Sequence, residues 1–292
     1  MIGQLLTNEL LLKGHNVRWL TRKKKEFKNV KQFEWDVATF TMDEKAIEGV
    51  DVIFHLAGSS VAGKRWDLNY KKDLYDSRIQ SAILLAHSCQ QVNHFPKHFI
   101  SSSAIGYYGF DRGNELIDES SSVGDDFLAK LVFDWEAAVD QFKQYNTKVT
   151  KMRTGIVLSE KGGALSKMTM PIRYGIGAPL ASGNQYLSWV HQTDVVNSFV
   201  FVMEKELEGI FNQVAPNPVT NREFTYSLAK MLKRPILLPP IPGFILKLTL
   251  GEFAEALIGG VKIEPKNLEK EGYVFFLHDL NDALKNLLYF AK

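Results

Sequence analysis

Residues 101–108 read SSSAIGYY, three hydroxyls and two phenols in one short stretch. Tyr107 and Tyr108 follow Ser103 where an apolar strand ends. A phenol there can act as an acid toward a bound oxygen, or form a hydrophobic wall. Ser101 and Ser102 also suit strand-end positions that bond backbone. Arg65 and Arg78 carry planar forks that could hold an anionic substrate, or could close ion pairs within a helix or between domains. Asp126 could serve as a base if burial raised its pKa, or stand as an exposed carboxylate at a helix start. His55, inside an apolar run, and His191, in WVHQTDVV, read as hydrogen-bonded structural histidines. No His, Asp or Glu group has metal-ligand spacing, so no metal is expected.

The rest of the chain bounds these options. It has 292 residues, 45% hydrophobic and 23% charged, with a formal net charge of +2. This is an ordinary globular composition, and it calls for neither a nucleic-acid nor a membrane partner. The single cysteine, Cys89, lies among Leu84, Leu85 and Ala86 and reads as a small buried apolar residue. The N-terminus lacks the pattern of a signal peptide. The most apolar stretch, PILLPPIPGFILKLTLG, is broken by four prolines and a lysine and is too short to span a bilayer. A cytoplasmic protein is expected.

Strands are expected at 17–21, 32–35, 51–57, 98–102 and 149–154, with helices at 42–47, 68–92 and 125–145 between them. DVIFHLAG is apolar apart from its histidine, as in a strand covered on both faces. Alternating strands and helices predict an α/β fold with a doubly wound parallel, Rossmann-like sheet. The second half is punctuated by Gly and Pro and predicts short helices at 221–232, 243–257, 265–271 and 279–288, in a smaller α+β lobe. Thr220 followed by Glu223 has the form of a helix-capping box. The expected division is 1–161 with 189–215 returning to it, and 162–188 with 216–292 as the substrate lobe. The chain opens on a helix followed by a strand, which is the middle of a βαβ unit. The sheet is therefore expected to lack its first strand.

HLAGSS, SSSAIGYYG and WVHQTDVV carry a resemblance, supported by an ordered series of further motifs. These are KRW (Lys64 to Trp66) with Ser77-Arg78, GDDFLA and DWE between Gly124 and Glu136, RTGIVLS from Arg153, GGAL, TNREF and PKNLEKEGY. The chain resembles the atypical extended short-chain dehydrogenase/reductases, in the epimerase-like branch with a C-terminal DUF1731 segment. The resemblance runs nearly end to end.

It implies a small-molecule substrate and a nicotinamide cofactor on a glycine-rich turn of the form GGTGFIG, of which Ile2-Gly3 matches the last two residues. A start codon assigned too far downstream would explain this. Losing a strand buried on both faces would forfeit about four apolar side chains at about 1.5–3 kcal/mol each, close to a domain's whole stability of about 5–15 kcal/mol. A chain that begins here would be an N-terminally truncated product with impaired cofactor binding. The implied cofactor residues are Gly3, Arg22, Lys23, Asp36, Ala57, Gly58, Arg78 and Ser102. Arg22-Lys23 stands where NAD enzymes place a carboxylate for the ribose, so NADP(H) is expected over NAD(H). The implied catalytic residues are Ser103, Lys130 and, in place of the usual tyrosine, Tyr108. Asp126 stands four residues before Lys130; aligning Glu136 with a downstream glutamate moves the tyrosine position to Leu128. Substrate contacts fall to Arg65, Trp66, Tyr107 and His191, beside an apolar wall of Met168, Met170, Pro171, Tyr174, Leu187 and Trp189. The expected function is an epimerase-like or reductase-like enzyme without the usual tyrosine; the alternative is a cofactor-binding sensor or interaction module without turnover.

Overall fold

A computed structural model describes residues 1–24, 26–160 and 162–290, so Lys25 of the basic run and Lys161 at the expected domain boundary lie outside the described residues. In chain order the elements are α1 (Ile2–Leu12), β1 (Arg18–Thr21), β2 (Lys31–Asp36), β3 (Thr41–Met42), β4 (Val52–His55), α2 (Leu68–Gln91), β5 (His98–Ala104), β6 (Asp111–Ile117), α3 (Phe127–Asp140), β7 (Lys148–Thr154) and β8 (Ile156–Leu158). They continue with α4 (Gly163–Arg173), β9 (Tyr186–Leu187), β10 (Trp189–His191), α5 (Gln192–Glu204), β11 (Gly209–Gln213), β12 (Val219–Thr220), α6 (Asn221–Met231), α7 (Gly243–Leu250), α8 (Glu255–Ile258), β13 (Gly260–Ile263), α9 (Lys266–Lys270) and α10 (Leu280–Lys285).

β4, β5, β7 and β11 form a parallel sheet in the order β11-β7-β5-β4. β1 and β2 pair in parallel in a second sheet, which β3 completes in the antiparallel sense. β1 and β4 are not hydrogen-bonded to each other, so the α/β sheet is divided at that point. Side chains alternate across the larger sheet. Phe99 and Val149 face a core built with α2 and α3, and Ile100, Met152 and Phe211 face a core built with α1 and α5. A third core, around Trp189, Phe224, Leu228 and Leu284, fills the C-terminal part.

Local chemistry accounts for the element ends. Asp67 caps α2 by accepting from the Tyr70 amide at 2.7 Å. Thr220 and Glu223 make the expected capping box of α6. Residues 42–47 give a single 3-10 turn, Glu44–Ala46, because Met42 pairs into β3. The Gly- and Pro-rich stretch after residue 162 contains α4, with Pro171 inside the helix near its end. No helix among the described residues is long and apolar enough to cross a membrane. Cys89 is fully buried, and burial raises its thiol to about 12.

Asp194, in the first turn of α5, fastens the C-terminal segment. Its wholly buried carboxylate accepts from the Phe276 amide (2.7 Å), the Leu277 amide (3.0 Å) and the Tyr273 hydroxyl (3.1 Å). Burial and this carboxylate hold the Tyr273 phenol above its ordinary range. Asp194→Ala should cost about 3–5 kcal/mol, since it strands several buried donors, and Asp194→Asn should cost less. Urea unfolding of the two variants checks this.

Candidate functional site

A cavity of about 740 Å³ lies where the C-terminal ends of β5 and β7 meet α4, α6 and α7. Ile105 and Gly106, immediately after β5, form one wall, with Leu128 of α3 packed against Gly106. Met168, Pro171 and Ile172 of α4, Leu187, and Phe224 and Leu228 of α6 form the opposite wall. The described lining residues include no Asp or Glu, while Lys64, Arg65 and Lys167 bring positive charge. Exchangeable protons in the lining belong to these cations and to Tyr186, Ser188, Asn221, Thr225 and Thr249.

The loop after β4 leads from that strand's C-terminal end to the cavity, and it is anchored along its length. Arg78 Nη2 donates to the Ser59 carbonyl (2.9 Å), and the Ser59 amide donates to Ser77 Oγ (3.0 Å). Tyr70 donates to the Ser60 carbonyl, Trp66 Nε1 to Val61 (2.9 Å) and Lys167 Nζ to Ala62 (2.6 Å). Arg65 lies across Gly251, where a Cβ would stand 2.7 Å from its Nε. Gly251 has φ +64°, so a side chain there would be both strained and obstructed. Trp66 is buried among Phe110, Phe127 and Phe253. It therefore supports the loop; of the expected substrate residues, Arg65 lines the cavity together with Met168, Pro171 and Leu187 of the expected wall.

Ser103 and Tyr108 belong to a buried network. Ser103 Oγ donates to Glu136 Oε1 at 2.6 Å, and Arg153 donates to both Glu136 oxygens, through Nε and Nη2, at 2.8 Å each. Burial alone would lower the Arg153 pKa; the bidentate bond to Glu136 overrides it and holds the group protonated. Tyr108 is fully buried, donates to Asn212 Oδ1 (2.7 Å) and accepts from Arg153 Nη1 (3.0 Å). Burial, the leading cause, raises its phenol to about 12. Tyr107 lies beneath the Arg153 guanidinium, 3.4 Å from ring centroid to Cζ. None of Ser103, Tyr107 and Tyr108 lines the cavity, because strand alternation turns Ser103 toward α3 and the following turn folds Tyr108 into the core. Lys130 lies on the exposed face of α3 and does not join Ser103. Asp126 caps α3, accepting from the Ala129 amide at 3.0 Å, with its carboxyl raised by burial.

His191 is the hydrogen-bonded structural histidine that WVHQTDVV suggested. It is buried, caps α5 by accepting from the Thr193 amide at 3.1 Å, and does not line the cavity. Trp189 is core, and Met170 and Tyr174 are exposed because α4 turns them outward. His55 is structural, with Nε2 2.7 Å from Ser81 Oγ and Nδ1 3.1 Å from Ser101 Oγ. Tyr186 and Lys167 were not singled out in the sequence; their places in NQYLSWV and GGALSKM give no local sign of a cavity.

The strand-end crevice has features suited to a dinucleotide. Arg22 and Lys23, exposed after β1, have no ion-pair partner among the described residues. Asp36 closes a turn by accepting from the Ala38 amide (2.9 Å). Ala57, Gly58 and Ser102 lie at the ends of β4 and β5. A Cβ on Gly58 would press on the Arg78 guanidinium at 3.2 Å, so the crevice wall is kept small. Arg78 is buried without a carboxylate partner among the described residues and has its pKa lowered to about 10 by burial. Gly3 lies in the first turn of α1, whose N-terminus has no side-chain cap, leaving first-turn amides for an anion. No group of three or more metal-ligating side chains occurs among the described residues.

Comparison with known proteins identifies the family and the fold. Residues 1–213 match the model of the NAD dependent epimerase/dehydratase family, and residues 241–287 match a domain of unknown function, DUF1731. An epimerase family protein of Mycobacterium leprae is 35% identical over 286 residues, covering 97% of this chain and 91% of that one. The structure of human epimerase family protein SDR39U1 with NADPH superposes with a TM-score of 0.86 at 29% identity, over 98% of this chain and 95% of that one. A Bacillus cereus UDP-glucuronic acid 4-epimerase with UDP-glucuronic acid and NAD shares the fold, at a TM-score of 0.77 and 14% identity, over 97% and 93% of the two chains.

Glu136→Ala should cost about 3–5 kcal/mol by leaving Arg153 charged and buried, and Ser103→Ala about 1–3 kcal/mol; denaturant unfolding measures both. Burial, reinforced by Arg78, holds His55 at about 3 in the fold, against about 6.5 when unfolded. Between these values the unfolded chain takes up a proton that the folded chain refuses, so stability falls as pH drops below about 6.5. The expected loss is about 2 kcal/mol by pH 5. Urea midpoints at pH 7 and pH 5 should fall further for the wild type than for His55→Gln.

Proposed function

The chain belongs to the NAD dependent epimerase/dehydratase family, and from that premise we propose that it binds NADP(H) and acts on a small molecule held in the apolar cavity. The observation that carries this reading is the exposed, carboxylate-free Arg22-Lys23 pair at the end of β1. Two cations there favour a 2′-phosphate, where an NAD site would present an Asp or Glu. The NADPH in the human relative's structure supports the same preference.

The residues present fit the group. Arg22 and Lys23 would hold the 2′-phosphate, and the first turn of α1 at Gly3 the pyrophosphate. Asp36 borders the adenine side, and Ala57, Gly58 and Ser102 line the approach. Arg78 acts through the loop, fixing Ser59. When bound, the cofactor supplies or accepts hydride. Residues 1–161 with 189–215 serve the cofactor, and 162–188 with 216–292 the substrate. With Ser103 committed to Glu136, Tyr108 buried and Lys130 exposed, the proton at the substrate falls to the cavity lining, where Tyr186, Lys64 and Lys167 carry one.

The same committed network favours a second reading, a cofactor-binding sensor without turnover. NADPH oxidation across a panel of carbonyl compounds separates the two: consumption supports an enzyme, and tight binding with none supports a sensor. The cofactor preference has its own test. Arg22→Ala/Lys23→Ala should weaken NADPH binding about 10- to 100-fold and leave NADH within about twofold, read by fluorescence titration. Equal weakening of both cofactors would remove the 2′-phosphate from the account.

A further inference from the structure

We infer that the cavity takes a molecule with an extended apolar body and one carboxylate end, the carboxylate held at the rim by Lys64 and Arg65. This rests on the proposed small-molecule reading and names its substrate class.

The lining decides against a nucleotide sugar. A sugar and a uracil bring many hydroxyl and amide groups, each of which needs a partner once out of water. Here the walls are mainly Ile105, Leu128, Met168, Ile172, Phe224 and Leu228; the Ser188, Thr225 and Thr249 hydroxyls of the lining already donate to backbone carbonyls, and no carboxylate is present among the described lining residues to accept from sugar hydroxyls. A cavity of about 740 Å³ accommodates a medium-sized organic molecule and rewards apolar area.

The cations are presented deliberately. The loop that carries Lys64 and Arg65 is tied down by Arg78, Ser77, Tyr70, Trp66 and Lys167, so neither cation's backbone is free to drift. Both side chains are exposed, and neither has a carboxylate partner among the described residues. The nearest acid in sequence to the Arg65 contact is Glu252, beside Gly251, and it is paired with Lys71. Arg65 is therefore held across Gly251 with a fork open to a carboxylate, and Lys64 adds a second charge. An apolar chamber with its positive charge confined to one edge selects a ligand of the same polarity pattern.

The test uses the intact protein and dansyl-undecanoic acid as the fluorescent probe, kept below its micellar range. Dodecanoate should displace the probe, and UDP-glucose should not. Lys64→Gln/Arg65→Gln should weaken dodecanoate about tenfold or more while changing dodecanol less than about twofold. Absence of probe binding, displacement by UDP-glucose, or equal loss of acid and alcohol in the variant would overturn the inference. NADPH is titrated into the same samples. If NADPH binds and the probe does not, this inference fails alone; if NADPH does not bind, the proposed function fails.

Discussion

The bidentate pairing of Arg153 with Glu136 is the interaction on which the site depends. It joins β7 to α3 in the interior, takes up the Ser103 hydroxyl at the end of β5, and receives Tyr107 and Tyr108 from the following turn. Through Tyr108 and Asn212 the network reaches β11, and the Asn212 amide donates to Glu119 at 2.8 Å. Removing any one member leaves a buried charge or hydroxyl unmatched, so the strand ends stay fixed. The consequence is chemical. Polar groups that could have worked on a substrate are used to hold the wall behind it, and the cavity in front is left apolar.

A second constraint is the division of the sheet between β1 and β4. In the proposed reading the cofactor's phosphate end depends on β1 and β2 and its approach to the cavity on β4 and β5, yet among the described residues no strand hydrogen bonds join the two halves. Other contacts hold them in register. α1 packs Leu6 and Leu10 against a core that includes Val17, Phe54 and Leu56. Trp19 donates to Thr7 at 2.8 Å, and Arg18 donates to the carbonyls of Lys45, Ala46 and Glu48 in the turn before β4. The placement of Arg22 and Lys23 thus rests on side chains as well as on the sheet.

Much of this was legible in the sequence. Short apolar runs and intervening helices located β1, β2, β4, β5, β7, α2 and α3, since local patterning and burial act together there. The site was harder to read. Whether Ser103 faces solvent or a buried glutamate depends on Glu136 and Arg153, distant in sequence, and no local spacing reveals that pairing. His191 reads as a structural histidine from its own residues and as a substrate contact by resemblance; its ring completes the first turn of α5. The glycines and Pro171, which a helix tolerates near its end, hide α4 in the sequence, and with it the outward face that carries Met170 and leads to Tyr174. Trp66 and Arg78 position the loop that carries Arg65.

The central claim is that the cofactor crevice and the apolar cavity form one continuous site across the anchored loop from Ser59 to Arg65. Inter-ligand nuclear Overhauser transfer on the protein with NADPH and dodecanoate together tests it most directly. The account predicts simultaneous binding and magnetisation transfer between the nicotinamide protons and the acyl chain. Simultaneous binding without transfer, or mutual exclusion of the two ligands, would contradict it.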